Sequence, residues 1–393
     1  MNITMNRAEL LSAAQKATAI ASEDAPLESL KGVLLETAGS TLTMTATNIE
    51  TSLEQKLSCP VGEDDALVMN AKLLAGMLGL MSGDTVVLRR QPGSHVLSLR
   101  SGETVYDWTI GERGEFPKMQ IPFPEDTVTV RGIPSIARRT MFATEDSKDK
   151  PLLKCVNFMF TQEGLKGTGC NGRSMVTARG DDKSTGNISL LVPAAALEKL
   201  AELCTDQDEF KVGTTGPSIV FMRPGLTFST RLMEGDFVDI GRIMESVRNQ
   251  FTVLSDVADL RRTLKTVTAM DPKGRVKLAF DGGQLTFYCK SELGSAVESL
   301  DVAPLTGAPQ GEYWYLVPEL MNSLKALSGT VTLGIAQAGM LDLSTENAYY
   351  MQTAVREPVA APVVVQEQPK EAKPKKAPVK AKKPRKSAAK KAA

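Results

Sequence analysis

Leu316-Val-Pro-Glu-Leu-Met-Asn-Ser-Leu324 runs on into Val331-Thr-Leu333, Met340-Leu-Asp-Leu343 and Ala348-Tyr-Tyr-Met351. This stretch reads as one helix followed by three short strands. The same order occurs twice upstream. Leu191-Val-Pro-Ala-Ala-Ala-Leu-Glu-Lys-Leu200 precedes Phe210-Lys-Val212, Ile219-Val-Phe-Met222 and Leu226-Thr-Phe-Ser-Thr-Arg-Leu232. Val68-Met-Asn-Ala-Lys-Leu-Leu-Ala-Gly-Met-Leu78 precedes Asp84-Thr-Val-Val-Leu88, His95-Val-Leu-Ser-Leu99 and Val105-Tyr-Asp-Trp-Thr-Ile110. The repeat length is roughly 120 to 125 residues, a period that signals an array of similar units.

Each unit has a front half of the same kind. Helices are predicted from Asn6, from near Pro134 and from Ser255. Asn6 with Glu9 three positions on is a capping-box pattern. Val257, Leu260, Leu264 and Val267 form one apolar helical face. Alternating strand pairs follow: Gly32–Glu36 with Leu42–Thr47, Val156–Phe160 with Leu165–Gly169, and Val276–Phe280 with Leu285–Tyr288. Asp281-Gly-Gly between the last two is a hairpin signal. A further strand, such as Ala296–Val302, closes the half. Every unit thus reads αβββ-αβββ, an α+β class with helices set against antiparallel sheets. The predicted bounds are residues 1–122, 123–248 and 249–357, with a tail from 358 to 393.

A chain of 393 residues suits two or three cores, and 42% hydrophobic residues is ordinary for a globular protein. No stretch is long and apolar enough to cross a bilayer, and Met1–Arg7 lacks the apolar centre of a signal peptide. Cys59, Cys155, Cys170, Cys204 and Cys289 have neither zinc nor redox spacing, so reduced thiols in a cytoplasmic protein are expected. The net charge of zero hides a division. From Pro358 onward there are 11 Lys/Arg against 2 Glu, which leaves 35 basic and 44 acidic residues in the body. The Lys- and Pro-rich tail is expected to stay disordered and to attract nucleic-acid phosphates loosely, or else to serve as a solubilising segment.

Three local patterns carry no function on this reading. Gly167-Thr-Gly-Cys-Asn-Gly172 matches the dinucleotide fingerprint by letter, but Ser174-Met-Val-Thr-Ala178 after it reads as a strand, not a helix. His95 is the only histidine, beside Pro92-Gly93, and is expected on a surface hairpin; alone it excludes His-dependent triads and multi-histidine metal sites. Asp181-Asp182 and Glu63-Asp64-Asp65 are expected in solvated turns.

At this point the chain resembles the bacterial sliding clamp, the β subunit of DNA polymerase III, over nearly all of residues 1–356. The matches are Thr47-Asn-Ile-Glu50, Asn171-Gly172, Glu234-Gly-Asp-Phe-Val-Asp239, Glu298-Ser-Leu-Asp-Val302 and Ala348-Tyr-Tyr-Met351. The resemblance implies a non-enzymatic processivity factor without cofactor or metal. Two three-domain chains would close head to tail into a ring around duplex DNA, leaving no sheet edge open. Partners would be duplex DNA, a replicative polymerase, a clamp loader and other proteins carrying clamp-binding motifs.

Site residues follow from the same resemblance. Arg7, Lys16, Lys72, Arg138 and Arg139 are expected to face DNA, as are Lys199, Arg261, Arg262, Lys265 and Lys325; each could instead simply face water. Such a stripe on an acidic body gives sequence-independent contact that permits sliding. Tyr106 and Trp108 would meet Val267 and Met270 across the dimer interface, although a strand Trp is more often plain core. A peptide groove would be lined by Val156, Cys170, Gly172, Arg173, Ser174 and Met175. Its other wall would be Val238, Arg242, Ile243, Ala338, Met340, Tyr350, Met351 and Gln352.

The chain departs from the family pattern in several places. Arg173-Ser-Met175 stands for His-Arg-Leu, Val238 for a proline, and Gln352-Thr-Ala-Val-Arg356 for Met-Pro-Met-Arg-Leu. The loop Ser22–Ser29 lacks the usual arginine. These departures imply an altered peptide preference and a phage, plasmid or otherwise divergent version, with the basic tail compensating for the missing arginine. The rival readings are a nucleoid-compacting protein driven by its tail, and an enzyme on this scaffold, for which no convergent nucleophile and base can be found.

Overall fold

The computed structural model describes residues 1–22, 25, 27–60, 63–110, 116–117, 121, 123–145, 147, 149–180, 183 and 186–357. The tail from 358, parts of the Ser22–Ser29 loop and Asp181-Asp182 lie outside these residues. The body, Met1–Arg356, is one compact unit.

The first stretch comprises β1 (Asn2–Asn6), α1 (Arg7–Thr18), β2 (Gly32–Ala38), β3 (Thr41–Thr47), β4 (Thr51–Ser58), β5 (Asp65–Asn70), α2 (Ala71–Leu80), β6 (Thr85–Arg89), β7 (Val96–Ser101) and β8 (Thr104–Thr109). The second comprises β9 (Val128–Val130), α3 (Ile133–Thr140), β10 (Cys155–Thr161), β11 (Gly164–Cys170), β12 (Ser174–Arg179), β13 (Ile188–Pro193), α4 (Ala194–Leu203), β14 (Phe210–Thr215), β15 (Ser218–Arg223), β16 (Leu226–Arg231) and α5 (Ile240–Ser246). The third comprises β17 (Asn249–Asp256), α6 (Val257–Val267), β18 (Arg275–Asp281), β19 (Gln284–Ser291), β20 (Gly294–Asp301), β21 (Ala303–Thr306), β22 (Gln310–Leu316), α7 (Val317–Ala326), β23 (Thr330–Ala336), β24 (Leu341–Thr345) and β25 (Ala348–Gln352).

Each predicted helix is present, and each is preceded by a strand that the sequence reading did not foresee. The repeating element is βαβββ, not αβββ. The leading strands are of three to eight residues and abut their helices, so their period of two is masked by the helical pattern beside it. They also pair away from home. β1 joins β6 and β5 joins β2; β9 joins β14 and β13 joins β10; β17 joins β23 and β22 joins β18. The two halves of each unit therefore exchange strands.

Local chemistry sets the helix starts. The Asn6 side chain accepts from the amides of Ala8 and Glu9, Asn70 caps α2 through Leu73 N, and Asp256 caps α6 through Ala258 N. Each satisfies amides that the first helical turn leaves without partners. Val257, Leu260, Leu264 and Val267 all face the core, as their spacing predicted. The glycines of the fingerprint look-alike have a packing cause. A Cβ at Gly167 would strike Ile136 of α3, one at Gly169 would strike the Thr140 carbonyl, and Gly172 has φ +86° in a turn. The first two let a helix lie close on a sheet, and the third lets the chain turn. His95 is exposed in the β6–β7 connection, just before the strand begins. Asp65 corrects the expectation of a solvated turn: it opens β5 and holds the Met1 ammonium at 2.8 Å and Arg90 at 3.0 Å. All five cysteines are buried and unbridged, and burial pushes the Cys155 thiol up to about 11.

Four sheets result. One runs β1-β6-β7-β8 and another β20-β19-β18-β22. The other two join halves of neighbouring units: β5-β2-β3-β4-β16-β15-β14-β9, and β13-β10-β11-β12-β25-β24-β23-β17-β21. The joints are β4 on β16, with Leu53 opposite Phe228, and β12 on β25, with Val176 opposite Tyr350. In both, the third residue of one strand faces the third of the other.

Candidate functional site

Three candidate surfaces stand out: an apolar cluster at the β12–β25 joint, the cations of the helices, and the edge strands β8 and β20.

At the joint, Cys170, Met175, Ile240 and Met351 form a small apolar cluster separate from the main core. Leu153, Phe237, Ile243, Met244, Val247, Met340 and Tyr349 pack around it, half-buried. Helix α5 supplies one wall and is started by Asp239, whose carboxylate accepts from Arg242 N at 3.0 Å. The turn before β12 is held by Asn171, which accepts from the amides of Arg173 and Ser174 at 2.9 and 2.8 Å. Arg173 Nε donates to Glu319 at 3.3 Å, and Gln352 Nε2 donates to the same carboxylate at 3.1 Å. The Thr353 amide donates to the Arg173 carbonyl at 2.9 Å, which fixes the end of β25 against this turn. Ala338 has a left-handed φ of +58° just before Met340, strain of the sort that clusters at ligand sites.

Of the predicted groove residues, Cys170, Met175, Ile243, Met340 and Met351 come together in this cluster. Gly172, Arg173, Val238, Arg242 and Ala338 are exposed around it, and Ser174 and Gln352 are buried in the strand joint. Val156 and Tyr350 are corrections. Both are fully buried in the main core, on the opposite face of their strands. The alternation of a strand puts Tyr349 and Met351 on one face and Tyr350 on the other. Leu153, Phe237, Ile240, Met244, Val247 and Tyr349 were missed; Tyr349 was within reach of that alternation. Burial pushes the Cys170 thiol up, against smaller lowering effects from Gly172 N and Lys150.

The cations divide into two groups. Lys72, Arg138, Arg261, Lys265 and Lys325 are exposed, and Lys16 is half-buried. Arg138 is also held within the chain, donating to the Ala201 carbonyl at 2.9 Å, as are the others. Arg7 donates to the Gly83 and Leu78 carbonyls at 2.6 and 2.8 Å, tying α1 to the end of α2. Arg139 donates to the carbonyls of Ala326 and Asn347. Arg262 meets Glu298 at 2.6 Å. Lys199 is half-buried; burial lowers its ammonium pKa, and Glu50 and Glu202 oppose that. Arg138, Arg139 and Lys325 share a polar cleft of about 670 Å³ with Asp206 and Glu346.

On β8, Tyr106 and Trp108 are half-buried against the core, whereas Val105 is 47% exposed. On β20, Val297 is 62% exposed. Met270 is partly exposed near Gly294, but Val267 is buried in its own core and has nothing to offer a partner, which corrects the interface expectation for it. Among the described residues no cluster of three or more His, Cys, Asp or Glu could hold a metal, and no helix is long and apolar enough to cross a membrane.

Residues 1–120 match the family described as DNA polymerase III beta subunit, N-terminal domain. A beta sliding clamp of Streptococcus pneumoniae is 26% identical over 211 residues, covering 52% of this chain and 55% of that one. The match thus spans little more than half the length of that relative. The Bacillus subtilis beta sliding clamp is 18% identical over 352 residues, 84% of this chain and 91% of the relative. Among solved structures, the DNA polymerase sliding clamp of Bacillus subtilis superposes with a TM-score of 0.83 at 16% identity, over 91% of this chain and all of that one. A DnaN sliding clamp from Pseudomonas aeruginosa bound to griselimycin gives 0.81 at 19% identity, over the same shares. The first 120 residues are thus similar in sequence to the N-terminal domain of the DNA polymerase III beta subunit, and the body has the fold of the bacterial sliding clamps.

Proposed function

We propose that two copies of this chain close head to tail into a ring around duplex DNA and hold a replicative polymerase there, with no catalysis of their own. The observation that carries this reading is the unfinished strand pattern. Each internal joint pairs the last strand of one front half with the last strand of another back half, as β4 with β16 and β12 with β25. By the same rule β20 belongs with β8, which are edge strands of different sheets within one chain. A second copy supplies the missing partner at both ends, and closure removes the edges that would otherwise template aggregation.

The internal joints also suggest the register. Phe228, Tyr350 and Tyr106 are each the third residue of their strand; Leu53, Val176 and Ala296 are the third of theirs. Tyr106 would then face Ala296, and the exposed Val105 would face the exposed Val297.

The units are taken to divide at residues 122/123 and 248/249, with the basic tail from 358. Lys16, Lys72, Arg138, Arg261, Lys265 and Lys325 are the helix cations that would meet phosphate, in a cytoplasmic setting. The cluster at Cys170 and Met351 would take short peptides from polymerase, clamp loader and other partners. Griselimycin bound to relatives of this fold supports ligand capture by such clamps.

Retention on a nicked circle, before and after linearising it, tests the ring. The expected result is loss on linearisation at a salt concentration that screens the tail, since charge contacts weaken steeply with salt. Equal retention on both forms would replace this reading with tail-driven compaction of DNA.

A further inference from the structure

The row of opposed residues that carries Cys170, Met175 and Met351 continues past the apolar cluster. Met351 faces Asp342 on β24, and Asp342 faces Gly334 on β23. Residues opposed across strands point to one side of a sheet. A carboxylate only 5% exposed therefore stands one strand from the cluster and on its face. At the first joint the same row reads Thr47, Ser52, Ser229, Val220 and Gly213, with Thr51 and Thr230 hydrogen-bonded beside it at 3.2 Å. There the place of Asp342 is taken by Val220, so the fold of such a joint does not require an acid.

The surroundings of Asp342 are shaped to it. Asn249 Nδ2 donates to Asp342 Oδ2 at 2.8 Å, and the Gly334 amide and Tyr349 hydroxyl bond to the same carboxylate. A side chain on Gly334 would strike both Asn249 Nδ2 and Asp342 Oδ1, so glycine keeps the space that this pair fills. All three donors are neutral. Burial, the largest influence, raises the pKa of the acid, and the three bonds lower it by less. The two side chains that Asp342 holds belong to opposite walls of the cluster. Tyr349 packs on it from β25, and Asn249 opens β17 two residues after Val247, which packs there from the end of α5.

We infer that Asp342 is a positioning residue, whose ionised carboxylate holds the Tyr349 wall and the Val247–Asn249 wall at the spacing a bound peptide needs. The inference rests on the peptide-groove reading, and Asp342 acts from beneath the walls, not by touching the ligand. Holding a buried charge without a cation destabilises the chain. An acid whose pKa is raised on folding stabilises the chain while protonated, and that contribution is lost as pH rises through the folded value. Asp342→Asn should therefore raise the urea midpoint at neutral pH and yet weaken binding, two shifts of opposite sign that a merely structural residue would not give.

The probe is griselimycin, to which two relatives of this fold are bound. It is titrated calorimetrically into the full-length protein at about pH 8 and about pH 5, a span above the ordinary carboxylate pKa. Wild type is expected to bind at least about fivefold more weakly at the lower pH, the low end of coupling between a site and a group outside it. Asp342→Asn should bind equally at both, near the acid value of wild type. Tyr349→Phe, which keeps the ring and removes the bond, should lose a similar factor at the higher pH. Ile243→Asp, which puts a charge in the wall itself, should abolish binding. If Ile243→Asp acts but wild-type affinity is flat with pH, or Asp342→Asn binds as wild type does, the inference falls and the groove stays. Loss of stability together with binding in Asp342→Asn would overturn it too. If Ile243→Asp changes nothing, or nothing binds, the groove reading falls and the inference with it.

Discussion

Phe228 at the β4–β16 joint and Tyr106 on β8 occupy the same place in equivalent strands, yet Phe228 is wholly buried and Tyr106 only half so. Opposite Phe228 stands Leu53, also wholly buried; Ala296, which the proposed ring would set opposite Tyr106, is half-buried. The two regions share strand length and order of pairing, but only the first has a neighbouring strand across the joint within the chain. The contrast separates what the chain supplies for itself from what a second copy would add in the proposed ring. Sheet formation within the chain consumes four of the six closing strands and leaves one at each end.

Substitutions should therefore act on different equilibria. Phe228→Ala is expected to cost about 3–5 kcal/mol of unfolding free energy, read by urea denaturation, because it empties a buried joint. Tyr106→Ala should leave the isolated chain within roughly 1 kcal/mol of wild type and weaken association instead. An equal loss of chain stability for both would abolish the distinction. Next in size, Val105→Asp should raise the dimer dissociation constant at least about a hundredfold in sedimentation, near 2.8 kcal/mol at 1.4 kcal/mol per factor of ten. Adding Val297→Lys should restore much of that loss, since opposite charges facing each other across strands attract. Rescue by Lys at 297 but not at 293 would fix the register; no rescue would refute it. The smallest effect concerns the hydroxyl pair. Thr230→Val alone should cost about 1–2 kcal/mol by leaving Thr51 unmatched, and Thr51→Val added to it should recover part of that cost.

Local signals carried far in the sequence. The Asn6 cap, the Asp281-Gly-Gly hairpin and the apolar face at Val257, Leu260, Leu264 and Val267 are short-range, and all have their expected structure. Indeed that periodicity placed Val267 in the core, and the structure sides with it over the interface role the family resemblance implied. The exchanged strands were illegible for the opposite reason. β1 pairs with β6, Asn2 opposite Arg89 and Asn6 opposite Thr85, and nothing in Asn2–Asn6 names its partner. The groove was half legible: Cys170, Met175, Met340 and Met351 were identified, but Val156 and Tyr350 sit one pleat away on the wrong face. The walls from α5, Phe237 and Leu153 come from segments distant in sequence, and only folding brings them alongside.

The strand exchange within each unit has a mechanical consequence. Pulling the halves of a unit apart would require peeling β1 from β6 and β5 from β2 at once, like separating two interlaced hands. The joints between units lack that interlacing but are still spliced by the continuous chain. A contact between two molecules has neither safeguard. In the proposed ring the contact between copies would be where strain concentrates, and opening it would mean parting only one narrow strip of backbone.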